Sequence, residues 1–219
     1  MIQTTMIRSG TTRSAMKTSC AISFLLLASF ALAQSEFSGE IVNLQKQGAP
    51  SEAKIYFAKD KVRIEPVASN GASRGGAVIL NLATQTSTVL MDQQHMYMEI
   101  PAQAQGQRMA YNFFRTGDAE NACADWLAQE RNKGGTCRKV GSGDIVNGRS
   151  TIKYEATNAN GESNTFWIDP KLRFPVKWES KNHAGELRNI QEGSQASNLF
   201  EVPAGYTKFD VGSMMQRPQ

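Results

Sequence analysis

The stretch Ser150–Ser180 reads S-T-I-K-Y-E-A-T-N-A-N-G-E-S-N-T-F-W-I-D-P-K-L-R-F-P-V-K-W-E-S, and its pattern points to an antiparallel β-sheet. Ile152, Tyr154 and Ala156 fall on every second position, and so do Phe174, Val176 and Trp178. Period two with polar neighbours is the mark of a strand with one buried face. The intervals are turns. Asn160-Gly161 separates Ser150–Thr157 from Thr165–Ile168, and Asp169-Pro170 ends the latter. Asn-Gly tolerates the positive backbone angles of tight hairpins, which join antiparallel neighbours and not the parallel strands of a βαβ array.

The same pattern extends in both directions. Upstream, Asn147-Gly148 sets Ile145-Val146 back against Ser150–Thr157. Ile55 and Phe57, Val62 and Ile64, then Val78, Leu80 and Leu82, and finally Met96, Met98 and Ile100 repeat the alternation. His183-Ala184-Gly185 marks another turn downstream. One helix interrupts the meander. Asp118 is placed to cap a helix over 119–131 that Gly134-Gly135 stops, with Cys123, Trp126 and Leu127 on one face. A second, weaker helical segment covers 102–115 and holds Met109, Tyr111, Phe113 and Phe114. Residues 68–76 have no apolar anchor and read as a loop.

The N-terminal 33 residues read as a leader, not as part of the fold. Arg8, Arg13 and Lys17 form a basic region, an apolar run of 13 residues follows from Ala21 to Ala33, and Ala31-Leu32-Ala33 resembles a cleavage site. A membrane-spanning helix needs roughly 20 apolar residues, so the run is too short for an anchor. Cys20 precedes the apolar run, whereas a lipid-modified cysteine follows it. The expectation is a chain that is periplasmic or otherwise exported and soluble after cleavage, with no stable membrane anchor, a domain over 34–211 and a disordered tail over 212–219. Export leaves Cys123 and Cys137, which in an oxidising compartment are expected to form a disulfide.

The whole chain of 219 residues has 24 Lys+Arg, 20 Asp+Glu, a net charge of +4 and a pI near 9.0. The leader removes three basic residues and no acidic one, so the domain's balance falls to +1. No basic run is long enough to track phosphates, which argues against a nucleic-acid partner. Enzyme chemistry is equally thin. The two histidines, His95 and His183, have no recognisable nucleophile beside them, and Asp169 reads as a turn residue. The glycine-rich stretches at 71–76 and 141–143 lead into strands, not into the helix start that a phosphate loop requires. The segment His95-Met96-Tyr97-Met98 raises copper binding as an alternative, but on a strand His95 faces away from both methionines.

Two segments carry a family resemblance. Thr165–Pro170 with Phe174–Glu179 resembles the W-I-D-P and P-x-x-W-E motif of the LolA/LolB lipoprotein-localisation superfamily, and more closely its exported relatives of unassigned activity. Leu199–Tyr206 is similar to their closing L-F-x-x-P-x-G-Y segment, and Phe37–Ile41 and Ile145–Arg149 also fit. The resemblance implies a mainly β fold with one or two helices: a curved antiparallel sheet, or half-open barrel, under a helical lid. It also implies a non-enzymatic protein, without cofactor or metal, that holds a hydrophobic ligand or a lipoprotein acyl group. The expected ligand-facing residues are Met96, Met98, Met109, Phe113, Phe166 and Trp178. The same alternation would equally fill a solid core. An adaptor that docks another envelope protein remains a further alternative.

Overall fold

A computed structural model describes residues 1, 35–44, 51–68, 72, 74–100, 116–129 and 132–209. The leader, the 102–115 segment with Met109 and Phe113, and the tail lie outside them. The strands are β1 (Phe37–Asn43), β2 (Ser51–Ala58), β3 (Lys61–Val67), β4 (Ala77–Asn81), β5 (Thr86–Met91) and β6 (Met96–Ile100), then β7 (Thr136–Val146), β8 (Arg149–Thr157), β9 (Ser163–Asp169), β10 (Phe174–Ser180), β11 (Ala184–Glu192) and β12 (Thr207–Lys208). They form one sheet in the order β12-β6-β5-β4-β3-β2-β1-β11-β10-β9-β8-β7. Every pairing is antiparallel except β12 with β6.

The sheet curls around an aromatic core. Three strand steps separate β2 from β10, about 14 Å in a flat sheet. Yet the rings of Phe57 and Phe174 lie 6.1 Å apart, and each packs on Phe37 at 5.6 and 5.2 Å respectively. Ile55, Val62, Leu80, Leu82, Val146, Trp167, Leu172, Val176 and Leu187 join this core, and all are buried.

Turn chemistry matches the residues. Asn147 and Gly148 both take positive φ, 47° and 79°, as a two-residue hairpin turn requires. Asp169 is buried and serves the turn after β9: its Oδ1 accepts the N–H groups of Lys171 and Leu172 at 2.8 and 3.0 Å, and its Oδ2 pairs with Arg149. Arg149 also reaches Glu192 at 2.8 Å, and Lys171 holds the same carboxylate at 2.6 Å. The hydrogen bonds from Lys171 and then Arg149 hold the Glu192 carboxyl below its ordinary value of 4.5. A depressed carboxyl contributes stability above the unfolded-state value and loses it as pH falls through the folded one. Glu192→Gln is therefore expected to lower the denaturant midpoint at pH 7, with the gap to the parent closing in strongly acidic buffer. A gap constant from pH 7 to pH 3 would contradict this.

Two readings of local structure need correction. The helix is shorter than its cap and stop signals suggested. Asp118 does cap, accepting from the Glu120 N–H at 2.9 Å, but a 3-10 turn over Ala119–Asn121 comes first. Helix α1 spans only Ala122–Leu127. It ends there because buried Asn132 turns its side-chain amide onto the Trp126 carbonyl at 2.8 Å, satisfying an acceptor that another helical turn would have used. Leu127 is 36% exposed, whereas Cys123 packs on the sheet.

The second correction concerns β10. Phe174, Val176 and Trp178 do not share a face. Pro175 pairs with Ile168 and Lys177 with Trp167, so Val176 is an extra residue in the ladder. Such a bulge shifts the alternation by one position. Phe174 and Val176 enter the aromatic core, whereas Trp178 pairs with Phe166 on the other side of β9.

The free edge, β7, exposes Val140 and Ile145. Its ladder to β8 is broken between Lys139 and Gly141 and again between Ser142 and Asp144. Two bulges in one edge strand work against the regular pairing that an added strand needs.

Candidate functional site

The outer side of β8 and β9 carries a second apolar set. Ile152 and Tyr154 on β8 stand beside Ile168 and Phe166 on β9, and Ala119, Ala122 and Cys123 pack down onto them. A six-residue helix does not hold its shape alone. Here it is tied down twice. The Cys123–Cys137 disulfide, with Cα atoms 5.5 Å apart, joins α1 to the start of β7. The Tyr154 hydroxyl donates to the Ala119 carbonyl at 2.8 Å. Burial pushes the Tyr154 phenol up, which keeps it a hydrogen-bond donor and not a base.

Between α1 and the sheet opens a cleft of about 520 Å³. Its apolar lining comes from Ala122, Trp126, Tyr154, Phe166, Ile168 and Trp178, with Cys137 and Pro175 beside them. The β8–β9 turn brings Asn158, Asn160 and Glu162 to the rim, and the end of β10 with the turn after it brings Glu179, Ser180 and His183. The bulge in β10 places Trp178 here, and Gly185 makes room for it. A Cβ on Gly185 would sit 2.6 Å from the indole Cε2 of Trp178, closer than any real side chain allows.

Of the residues expected to face a ligand, Phe166 and Trp178 line this cleft. Met96 and Met98 do not. They sit half-buried on β6, eight strands along the sheet from β9, because the meander carries the first six strands away from the helix. Met109 and Phe113 lie outside the described residues. His95 does not begin the strand. It occupies a left-handed corner at φ 51°, with its ring 5.7 Å from that of Tyr206, while Met91 pairs directly across from Met96. Among the described residues no group of three His, Cys, Asp or Glu side chains could hold a metal ion.

Sequence reading missed Trp126, Tyr154, Asn132, Glu162 and His183 as lining residues. Trp126 and Tyr154 were visible as apolar positions, but the cleft forms only where the disulfide, the Tyr154 hydroxyl and apolar packing together set α1 over β8.

Residues 37–206 match the family described as a domain of unknown function, DUF4412. The chain belongs to the DUF4412 family. No curated protein matches it. Among solved structures, an uncharacterized conserved protein from Thermus thermophilus is similar at 8% identity and a TM-score of 0.51, over 81% of this chain and 91% of that one. MucB aligns at 15% identity and a TM-score of 0.46 over 80% of this chain; the DUF4412 chain spans 59% of MucB's length. A LolA superfamily protein from Nitrosomonas europaea aligns at 8% identity and a TM-score of 0.34, over 77% and 90% of the two chains. The likeness to the Thermus protein is one of fold. One matched structure, the Nitrosomonas protein, bears the superfamily name that the strand and turn motifs suggested.

The closing motif of the family resemblance has a structural task in this DUF4412 chain. Leu199, Phe200, Val202 and Tyr206 cover Ala77, Ile79, Leu90 and Tyr97 on β4–β6. Tyr206 donates to Asp92 Oδ1 at 2.8 Å, and Arg63 donates to the Leu199 carbonyl at 2.9 Å. The segment closes a core remote from the cleft.

Proposed function

We propose that this protein is a non-enzymatic binding protein that holds a hydrophobic ligand, a lipid or the acyl group of a lipoprotein, in the cleft between α1 and β8–β10. One observation carries the reading: an open cleft of about 520 Å³ floored by Trp126, Tyr154, Phe166, Ile168 and Trp178. Sites for small apolar ligands have volumes of about 300–1,000 Å³ and linings of this kind, with a few polar groups at the mouth. Binding there gains from removing apolar surface from water, at roughly 25 cal/mol per Å². Catalysis finds little support in the same site, since its phenol is held as a donor and His183 sits at the rim in a turn.

Two features support an exported, periplasmic site of action. The leader-like segment at the N-terminus is one, and a disulfide that fastens the cleft's wall is the other. The hollow expected near Met96 and Met98 is replaced in this proposal by the cleft at the opposite part of the sheet.

The test is to purify the chain from an envelope fraction without detergent, denature it, and examine the extract for lipid by mass spectrometry, while titrating purified protein with the neutral apolar dye N-phenyl-1-naphthylamine. Enhanced dye emission is expected. Trp178→Ala should weaken dye binding by roughly tenfold, the equivalent of about 1.4 kcal/mol from one buried aromatic contact. Gly185→Ala should act in the same direction by displacing the indole. Neither lipid nor dye binding in a folded chain would overturn the proposal.

A further inference from the structure

We infer that the cleft selects ligands bearing a positive charge, an apolar chain ending in an ammonium group, over anionic ones. This rests on the cleft being the apolar-ligand site, and it concerns the end of the ligand that stays at the mouth. Asp125, Glu162 and Glu179 bring three carboxylates to the lining, and none of the described lining residues is Lys or Arg. Two of those carboxylates are met by neutral donors only in the contacts they make. Asp125 Oδ2 accepts the Gly117 N–H at 2.7 Å, and Glu162 Oε2 accepts the Asn158 amide at 2.7 Å. Glu179 is matched by Lys177 at 2.8 Å, on its own strand. A neutral donor leaves a carboxylate's charge in place and leaves lone pairs to spare.

The aromatic floor adds to this. Trp126, Tyr154, Phe166 and Trp178 all line the cleft, and ring faces attract cations within about 6 Å of their centroids. The protein already makes such contacts elsewhere: Lys177 and Lys153 stand 4.4 and 5.1 Å from the Trp167 ring. The remaining polar lining is amide-rich, from Gln129, Asn132, Asn158, Asn160 and Asn164, joined by Thr116, Ser180 and His183. Among the described lining residues a phosphate or carboxylate head would meet acids and no Arg or Lys, and the nearby Lys177 is already engaged by Glu179, whereas recognition of such anions normally uses Arg or Lys.

The experiment displaces N-phenyl-1-naphthylamine from the purified chain with three twelve-carbon amphiphiles below their micelle concentrations: dodecyltrimethylammonium, dodecyl maltoside and dodecanoate. Dodecyltrimethylammonium is expected to displace the dye at about tenfold lower concentration than dodecanoate, with the gap narrowing in high salt. Glu162→Gln, which keeps an oxygen for the Asn158 amide, should narrow the gap between dodecyltrimethylammonium and dodecanoate. Equal potency of all three, or a preference for dodecanoate, would overturn the charge selection and leave the cleft reading standing. Failure of the dye to bind at all would overturn both.

Discussion

Phe174→Ala is expected to destabilise the domain by about 3–5 kcal/mol, the usual loss when a large aromatic side chain is cut out of a packed core. Phe174 is 1% exposed, and its ring meets both Phe37 and Phe57, which sit on strands that β10 reaches only because the sheet curls. Removing the ring leaves a cavity whose walls are three different strands plus Leu172 and Val176, so local collapse cannot fill it cheaply. The loss should appear as a lower urea midpoint with an unchanged slope. Phe174→Leu should lose markedly less. A loss under about 1 kcal/mol for the alanine variant would mean that the halves of the sheet do not depend on this contact.

The second large effect is expected at the disulfide. The two cysteines are separated by 14 positions, and opening a loop of that size costs about 3 kcal/mol on the chain-entropy account. The structure makes the consequence local as well as global. α1 has only six residues, and apart from the disulfide it and the turn before it are held by the packing of Ala119 and Ala122, by the Tyr154 hydroxyl on the Ala119 carbonyl and by the Asn132 amide on the Trp126 carbonyl. In a Cys123→Ala, Cys137→Ala variant, amide exchange should accelerate over 116–129 far more than over β1–β3, and dye binding in the cleft should fall with it. A variant that loses stability but keeps slow exchange in this segment would show that packing alone holds the wall. Reduction of the parent protein should reproduce the variant, and reoxidation should restore it.

These two sites differ in how legible they were. The core positions Ile55, Phe57, Val62, Leu80 and Phe174 announce themselves by period two, because a strand with one wet face must alternate. The hairpin at Asn147-Gly148 is equally local, since its residues are among the few that accept positive φ at both positions. β11 is a counterexample. Leu187 and Ile190 stand three apart because Asn189, at φ 51°, interrupts the strand, so the alternation that would have revealed it is absent. Trp178 is misread for the same reason. A bulge is a property of the pairing between two strands, and no single strand displays it. The helix was overextended because its end depends on Asn132, whose side chain reaches back across several residues to the Trp126 carbonyl.

The cleft was the least legible feature. Phe166 and Trp178 were picked out as aromatic residues in a family-like segment, yet Trp126, Tyr154 and His183 join them from three other places in the chain. Met96 and Met98 looked equally suitable by composition and lie far away along the sheet. What the amino-acid sequence determined by itself was the meander, its tight turns and the cysteine pair, because these follow from backbone preferences and from alternation over a few neighbouring residues. Only the tertiary structure decided which side of β9 stays open, since that depends on one extra residue in β10 and on a disulfide that carries a six-residue helix over β8. Contacts between segments distant in sequence have no local signature, and the assembly of the site depends on them.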